Sequence, residues 1–351
     1  MDILRLMMLF DAHLHLRIEQ MMETVVRLIA PYCQAGVVEP NTGNIRTAKG
    51  AVRHRDEIKA AAARAGYPNF RPLMTIMLTD ETDPADVEHW PESDVAAGKY
   101  YPAELYPHGG VSDVRKIGPV VREMEQARIP FDGHFEKAGV HPLKAELPAL
   151  PDFRYLADNF PDLPISFEHV STAKAIEAVR EYGPNVVATI TPQGLWLTKK
   201  DVFNQDGVVI KPHNWCRPPA KEPWDLEALR VAAMSGNRKF LLGSDLAPWR
   251  ECDKEGENPF AGVTNYPVVL PLLVTLFEQY GRLAQLEAFT SLNAARFYGI
   301  KLRNETITLV KKLFTVPESI PLFGTDGSDP TKRIKPWLAG EKFPWSPLKA
   351  A

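Results

Sequence analysis

Two histidines separated by one residue follow an apolar run near the start of the chain, in the segment LFDAHLHLRIEQ. Side chains alternate along a strand, so His13 and His15 would point to the same face. Two imidazoles on one face are suitable ligands for a divalent ion such as zinc. The motif alone fits a pair of structural histidines equally well, because short motifs often match by chance.

Three further polar residues stand at the ends of short apolar runs, and their side chains can also bind a metal ion. They are His134 in DGHFE, His169 in SFEHVST and Asp245 in LLGSDLAPW. Each of them alone is more often a structural polar residue that hydrogen-bonds its surroundings. Together with the first two histidines, they indicate a metal centre.

A lysine, Lys99 in AAGKYYPAE, occupies the same kind of position. In the simplest interpretation its ammonium group reaches solvent at the end of an apolar stem. Within a metal site, however, a protonated ammonium would be repelled by the cations. We therefore expect Lys99 to be neutral or chemically modified if it belongs to the centre.

Short apolar runs alternate with helical segments along the chain, which is typical of parallel strand–helix–strand units. Eight strands are predicted, at Leu4–Leu16, Gly36–Pro40, Pro72–Leu78, Gly98–Pro102, Ile129–Glu136, Ile165–Val170, Val186–Thr191 and Lys239–Asp245. Eight such units favour an α/β fold of the (β/α)8 TIM-barrel type. A doubly wound open sheet is the alternative, but no glycine-rich phosphate turn follows the first strand.

This fold would gather the candidate residues at one end of the barrel. Active sites of such barrels lie at the carboxyl ends of the strands. The histidines, Lys99 and Asp245 all stand at or near predicted strand ends, and Asn41 follows the second strand. We predict one barrel domain over 1–351, with a C-terminal extension of helices and loops from about 300.

Composition excludes several other classes of protein. The net charge of −3 and the absence of basic clusters disfavour a nucleic-acid partner. No apolar run approaches the roughly 18 residues of a membrane span, and the first residues lack the basic region of a signal peptide. Cys33, Cys216 and Cys252 are scattered without CxxC spacing, which favours a reducing, cytoplasmic environment.

The chain resembles the shorter-chain bacterial dihydroorotases of the amidohydrolase superfamily. The segments that carry the resemblance are DAHLHLR, GKYYPAE, GHFE, FEHVST, ATITPQGL, KPHNWC, LLGSDLAPW, SLNAARFYGI and WLAGEKFPWS. They cover nearly the whole chain, and the first and ATITPQ are the most specific. The resemblance implies a metal-dependent hydrolase that interconverts dihydroorotate and N-carbamoyl-aspartate, a step of pyrimidine synthesis.

The resemblance also implies a ligand set. His13, His15 and Asp245 would hold one divalent ion, usually zinc, and His134 and His169 would hold a second. Lys99, carbamylated by carbon dioxide, would bridge the two, which explains how a lysine belongs there. Asp245 would also act as the catalytic base.

On the substrate side, the resemblance implies that Arg17 and Asn41 bind the substrate carboxylate, and it also implies a homodimer. Three features depart from the family pattern. Trp249 stands where the family has a histidine, and Arg217 stands where it has an apolar residue. The loop around Leu105, Tyr106 and Pro107 looks shorter and lacks a pair of threonines.

These departures leave alternatives open. Trp249 could stack on a larger ring, and Arg217 could bind a second anionic group, so a related cyclic amide, imide or lactone hydrolase is the main alternative. A phosphoesterase on the same barrel is another. A further alternative is a non-catalytic, dihydroorotase-like partner subunit, because a fold does not fix a function.

Overall fold

The computed structural model describes residues 2–40, 45–105 and 109–348. Its centre is a parallel eight-stranded sheet in which each strand pairs with the next. After a first strand outside this sheet, β1 (Ile3–Met7), its strands are β2 (Leu9–Leu14), β3 (Cys33–Val38), β4 (Arg71–Met77), β5 (Val95–Tyr100), β6 (Phe131–Gly133), β7 (Ile165–Phe167), β8 (Val186–Ile190) and β9 (Phe240–Leu242).

The sheet closes almost completely into a barrel. The residues after β9 return to β2, where the amide of Asp245 donates to the carbonyl of His13 and the amide of His15 donates to that of Leu246. The predicted (β/α)8 fold is therefore confirmed, and a barrel strand overlaps each of the eight predicted segments.

Ten α-helices are found among the described residues, and most of them lie between barrel strands. They are α1 (Glu19–Ile29), α2 (Ala48–Arg64), α3 (Gly118–Ala127), α4 (Leu150–Asn159), α5 (Ala173–Arg180), α6 (Pro223–Ala233), α7 (Glu251–Lys254), α8 (Val269–Gln279), α9 (Leu283–Glu287) and α10 (Asn293–Phe297). The side chains of Thr47 and Thr172 cap α2 and α5 by accepting from backbone amides in the first turn. The β4–β5 connection contains only two short 3₁₀ turns, Pro84–His89 and Pro91–Ser93.

The predicted first strand, Leu4–Leu16, is wrong as a single element. It divides at Met8, whose amide donates to the carbonyl of Glu305. The first half, β1, pairs antiparallel with β10 (Thr306–Val310) outside the barrel. A continuous apolar run gives no sign of this division, because the partner strand lies about 300 residues away.

The extension after about 300 also differs from the expectation of helices and loops. Its described part, 300–348, contains short antiparallel strands and loops, and no helix. After β10 the strands are β11 (Phe314–Thr315), β12 (Ile320–Pro321), β13 (Arg333–Ile334), β14 (Lys342–Phe343) and β15 (Ser346–Pro347). No helix in the described parts of the chain has the length and apolar character that a membrane span needs.

Candidate active site

The barrel brings the candidate metal ligands together at the carboxyl ends of its strands. His13 lies in β2 and Lys99 in β5, and the others follow β2, β6, β7 and β9 directly or within a few residues. All six side chains are buried; they are His13, His15, Lys99, His134, His169 and Asp245.

Three of these residues form the first group. Nε2 of His13 lies 3.2 Å from Nε2 of His15. Oδ1 of Asp245 lies 3.2 Å from Nε2 of His15 and 3.5 Å from Nε2 of His13. One atom from each side chain therefore faces a common point, as ligands of one metal ion must.

His134 and His169 form the second group beside the first. Nδ1 of His134 lies 3.1 Å from Nε2 of His169. The rings of His13 and His169 are 5.0 Å apart between centroids, so the two groups adjoin. Among the described residues, Nδ1 of His169 has no hydrogen-bond partner although it is buried.

Lys99 lies against two buried carboxylates that the sequence analysis did not include. Its Nζ is 2.9 Å from Oε2 of Glu39 and also contacts Glu168. Glu168 in turn has its Oε1 3.0 Å from Nδ1 of His13. Both glutamates stand at the ends of predicted strands, so a survey of all polar residues at strand ends would have found them.

Burial affects the protonation of three of the histidines. It lowers the pKa of His13, His134 and His169 well below the ordinary value of 6.5. The nearby charge of Lys99 lowers the pKa of each of them further. These imidazoles are therefore neutral near pH 7, which is the form that binds metal ions.

The backbone at the site is unusual at three non-glycine residues. Arg17, His169 and Asp245 have φ values of 64°, 40° and 49°, in the left-handed region. Such conformations are costly for residues with a side chain and cluster at functional sites.

Arg17 reaches the site from the segment between β2 and α1, and the loop after β9 holds it. Its Nε donates to the carbonyl of Pro248 at 3.0 Å. Its guanidinium carbon lies 4.3 Å from the centroid of the Trp249 ring. Burial lowers the pKa of Arg17 to about 10, so the side chain is still a cation at neutral pH.

Arg217 lies behind the second group of ligands. Its Nε donates to Oε2 of Glu136 at 3.1 Å, and the same oxygen is 2.8 Å from Nε2 of His134. Glu136, another buried residue that the sequence analysis missed, therefore connects Arg217 to His134. Carboxylates in this position orient ligating imidazoles.

The chain is similar in sequence to a known dihydroorotase over nearly its whole length. The dihydroorotase of Serratia proteamaculans is 36% identical over 346 residues, which are 96% of this chain and 95% of the relative. This chain belongs to the dihydroorotase family. No protein-family model matches the chain.

Solved dihydroorotases have the same fold. The Saccharomyces cerevisiae enzyme, in complex with 5-fluoroorotic acid, superposes with a TM-score of 0.89 at 28% identity and covers 99% of both chains. The Campylobacter jejuni enzyme gives 0.84 at 30% identity, over 98% of this chain and 97% of its own.

Some of the residues that we predicted to lie near the substrate are outside the described residues. Asn41 is one such residue, and Tyr106 and Pro107 are others. Leu105 ends a short 3₁₀ turn, Ala103–Leu105, at the start of that loop. The roles predicted for Asn41 and for the loop stay predictions.

Proposed function

We propose that this chain is a binuclear dihydroorotase that opens and closes the ring of dihydroorotate, giving N-carbamoyl-aspartate in the hydrolytic direction. The observation that carries the proposal is the convergence of four buried histidines, Lys99 and Asp245 at one end of the barrel, in a chain 36% identical to a dihydroorotase. The family relation supplies the reaction, and the geometry supplies a site suited to it.

His13, His15 and Asp245 would hold one divalent ion, which we propose to be zinc, and His134 and His169 would hold a second, with carbamylated Lys99 between them. The charges fit this arrangement. Glu39, Glu168, Asp245 and a carbamate on Lys99 would carry four buried negative charges, and two divalent ions balance them. Without such ions, several buried carboxylates would face a single ammonium, and buried charges need compensation.

Bound divalent ions supply Lewis-acid polarisation of an amide carbonyl and lower the pKa of water. Asp245 would orient the attacking water, because its Oδ1 lies within 3.5 Å of the Nε2 atoms of both histidines of the first group. It would accept the water's proton and donate it to the ring nitrogen as the amide C–N bond breaks. The left-handed backbone at Asp245 and its hydrogen bond to the His13 carbonyl fix its direction.

Arg17 would bind the carboxylate of the substrate, which is the group that distinguishes dihydroorotate from uncharged rings. A guanidinium group matches a carboxylate with two parallel hydrogen bonds. Arg17 suits this role because it stays cationic at neutral pH and because it contacts Pro248 and Trp249, in the loop that contains Asp245. Asn41 would add a further hydrogen bond.

A substrate panel tests this proposal against related activities. We expect turnover of dihydroorotate by metal-loaded protein and much weaker turnover of hydantoin, dihydrouracil and simple lactones, which lack the carboxylate. Preference for one of those rings would instead support a related cyclic amide or lactone hydrolase. A chain that binds no metal in the absence of chelators would support a non-catalytic partner subunit.

We also propose an oligomeric state and a cellular location for the protein. The active form is a homodimer, which light scattering measures directly. The scattered, unpaired cysteines and the biosynthetic reaction favour the cytoplasm.

A further inference from the structure

Arg17 and Trp249 are 232 positions apart in sequence, yet they form one unit at the edge of the site. The guanidinium lies 4.3 Å from the centroid of the indole ring, within the range of a cation–π interaction. The same loop makes a second contact, because Nε of Arg17 donates to the carbonyl of Pro248. This hydrogen bond fixes the direction of the guanidinium plane. The loop after β9 therefore contributes to both the position and the orientation of the cation.

The indole ring itself is held firmly. Its Nε1 donates to the carbonyl of Ala261 at 2.8 Å. The ring also stacks on Phe260, with centroids 4.6 Å apart and planes 20° apart. Since its one N–H group is already used, Trp249 has no hydrogen-bond donor left for a substrate.

The segment that supports the indole is anchored from below by a buried lysine. Nζ of Lys254 donates to three carbonyls, those of Trp215, Phe260 and Gly262. Gly262 adds a steric requirement, because a Cβ there would lie 2.3 Å from the Ala247 carbonyl oxygen and 2.9 Å from Nε1 of Trp249. Together these contacts hold the indole in one position, which indicates that the position of the Trp249 ring matters to the site.

We propose that Trp249 is a positioning residue that holds the Arg17 guanidinium ready for an anionic substrate group. The proposal rests on the proposed function, because it assumes that Arg17 binds the substrate carboxylate. In this site Arg17 would meet the carboxylate as a pre-oriented cation, and Trp249 contributes an aromatic face and no charge. The effect is on binding: an arginine that is already ordered loses less side-chain freedom when the anion arrives.

Substitution of Trp249 should therefore change KM and leave kcat nearly unaltered. For Trp249→Leu we expect KM for dihydroorotate to rise by about 10-fold, the order of a partly desolvated cation–π contact, with kcat within about 2-fold. Trp249→Phe keeps an aromatic face and should recover most of the loss. Trp224→Leu, at a two-thirds exposed tryptophan on α6, is the matched control and should change neither constant.

A double-mutant cycle with Arg17→Gln, which removes the cation, separates positioning from packing. If Trp249 acts through the guanidinium, Trp249→Leu should raise KM by less than about 2-fold once Arg17 has been replaced. An equal effect in both backgrounds, a fall in kcat with unchanged KM, or no effect of Trp249→Leu at all would overturn the proposal.

Calorimetry with 5-fluoroorotic acid, the ligand in the yeast structure, distinguishes failure of this inference from failure of the proposed function. If the wild-type chain binds this acid but does not turn over dihydroorotate, the proposed function fails. The Trp249 inference is then judged by the dissociation constant, which Trp249→Leu should raise by about 10-fold. If the wild-type chain neither binds 5-fluoroorotic acid nor turns over dihydroorotate, both proposals fail.

Discussion

Nζ of Lys99 lies 2.9 Å from Oε2 of Glu39, and both side chains are completely inaccessible to solvent. The same carboxylate oxygen accepts from the hydroxyl of Tyr101 at 2.9 Å. A lysine enclosed in this way, beside neutral histidines, is placed where conversion to a carbamate would turn a cation into a ligand.

Replacing Lys99 tests its proposed bridging role. For Lys99→Ala we expect loss of the carbamate and metal content well below two ions per chain, with activity reduced at least 100-fold. Added short carboxylic acids should restore part of the activity by occupying the vacated space. Elemental analysis and turnover are measured on the same samples, and full activity in the variant would contradict the bridging role.

Arg217 is expected to support His134 through Glu136. Arg217→Leu removes the cation that faces the Glu136 carboxylate, so the orientation of the His134 ring is less well fixed. Losses of about 10- to 100-fold in activity or metal affinity are usual when such supporting groups are removed, and Arg217→Lys should lose less. If Arg217 instead binds a second anionic group of the substrate, Arg217→Leu will raise KM and leave metal affinity unaltered.

Gly262 should tolerate no side chain. Its φ is 144°, and a Cβ would meet the Ala247 carbonyl and the Trp249 indole. We expect Gly262→Ala to destabilise the protein by about 2 kcal/mol or more and to raise KM, because the indole must move.

Gly281→Ala is the matched control for this substitution. Gly281 also has a positive φ, 65°, but a Cβ there would meet nothing within 4 Å. The melting temperature of Gly281→Ala should fall less than that of Gly262→Ala, and the KM of Gly281→Ala should equal that of the wild type. Equal losses of stability in the two variants would show that backbone conformation alone is responsible.

The buried Lys254 should make the free energy of unfolding depend on pH. Burial lowers the pKa of Lys254 to about 7, against 10.5 for an ordinary lysine. Between these values the unfolded chain binds more protons at this group than the folded chain, so its contribution to stability rises with pH. Below pH 7 the lysine is protonated in both states, and this dependence vanishes.

Lys254→Met isolates that contribution, because it keeps an unbranched side chain only one atom shorter and removes the titration. We expect the stability of the wild type relative to Lys254→Met to increase between pH 7 and pH 9. Denaturant unfolding at several pH values measures the difference. A difference that is constant or falls with pH would contradict the lowered pKa.

Much of the barrel and of its histidine cluster could be predicted from the sequence, because both depend on local patterns. An apolar run ending in a polar residue predicts a barrel strand and the position of a ligand together, as for His169 after β7. Glu39 and Glu168 also stand at predicted strand ends, but they were not chosen because glutamates are usually exposed. The closed barrel shows that these two are buried. The sequence could not predict contacts between distant segments, such as Arg17 with Trp249 or β1 with β10.

The central claim is tested most directly by one assay with metal-loaded protein. Loss of dihydroorotate and formation of N-carbamoyl-aspartate are followed together, starting from either compound, with Asp245→Asn as the comparison. The account predicts that both directions reach the same equilibrium mixture and that Asp245→Asn is slower by at least 100-fold. Full metal occupancy without interconversion of the two compounds would contradict it.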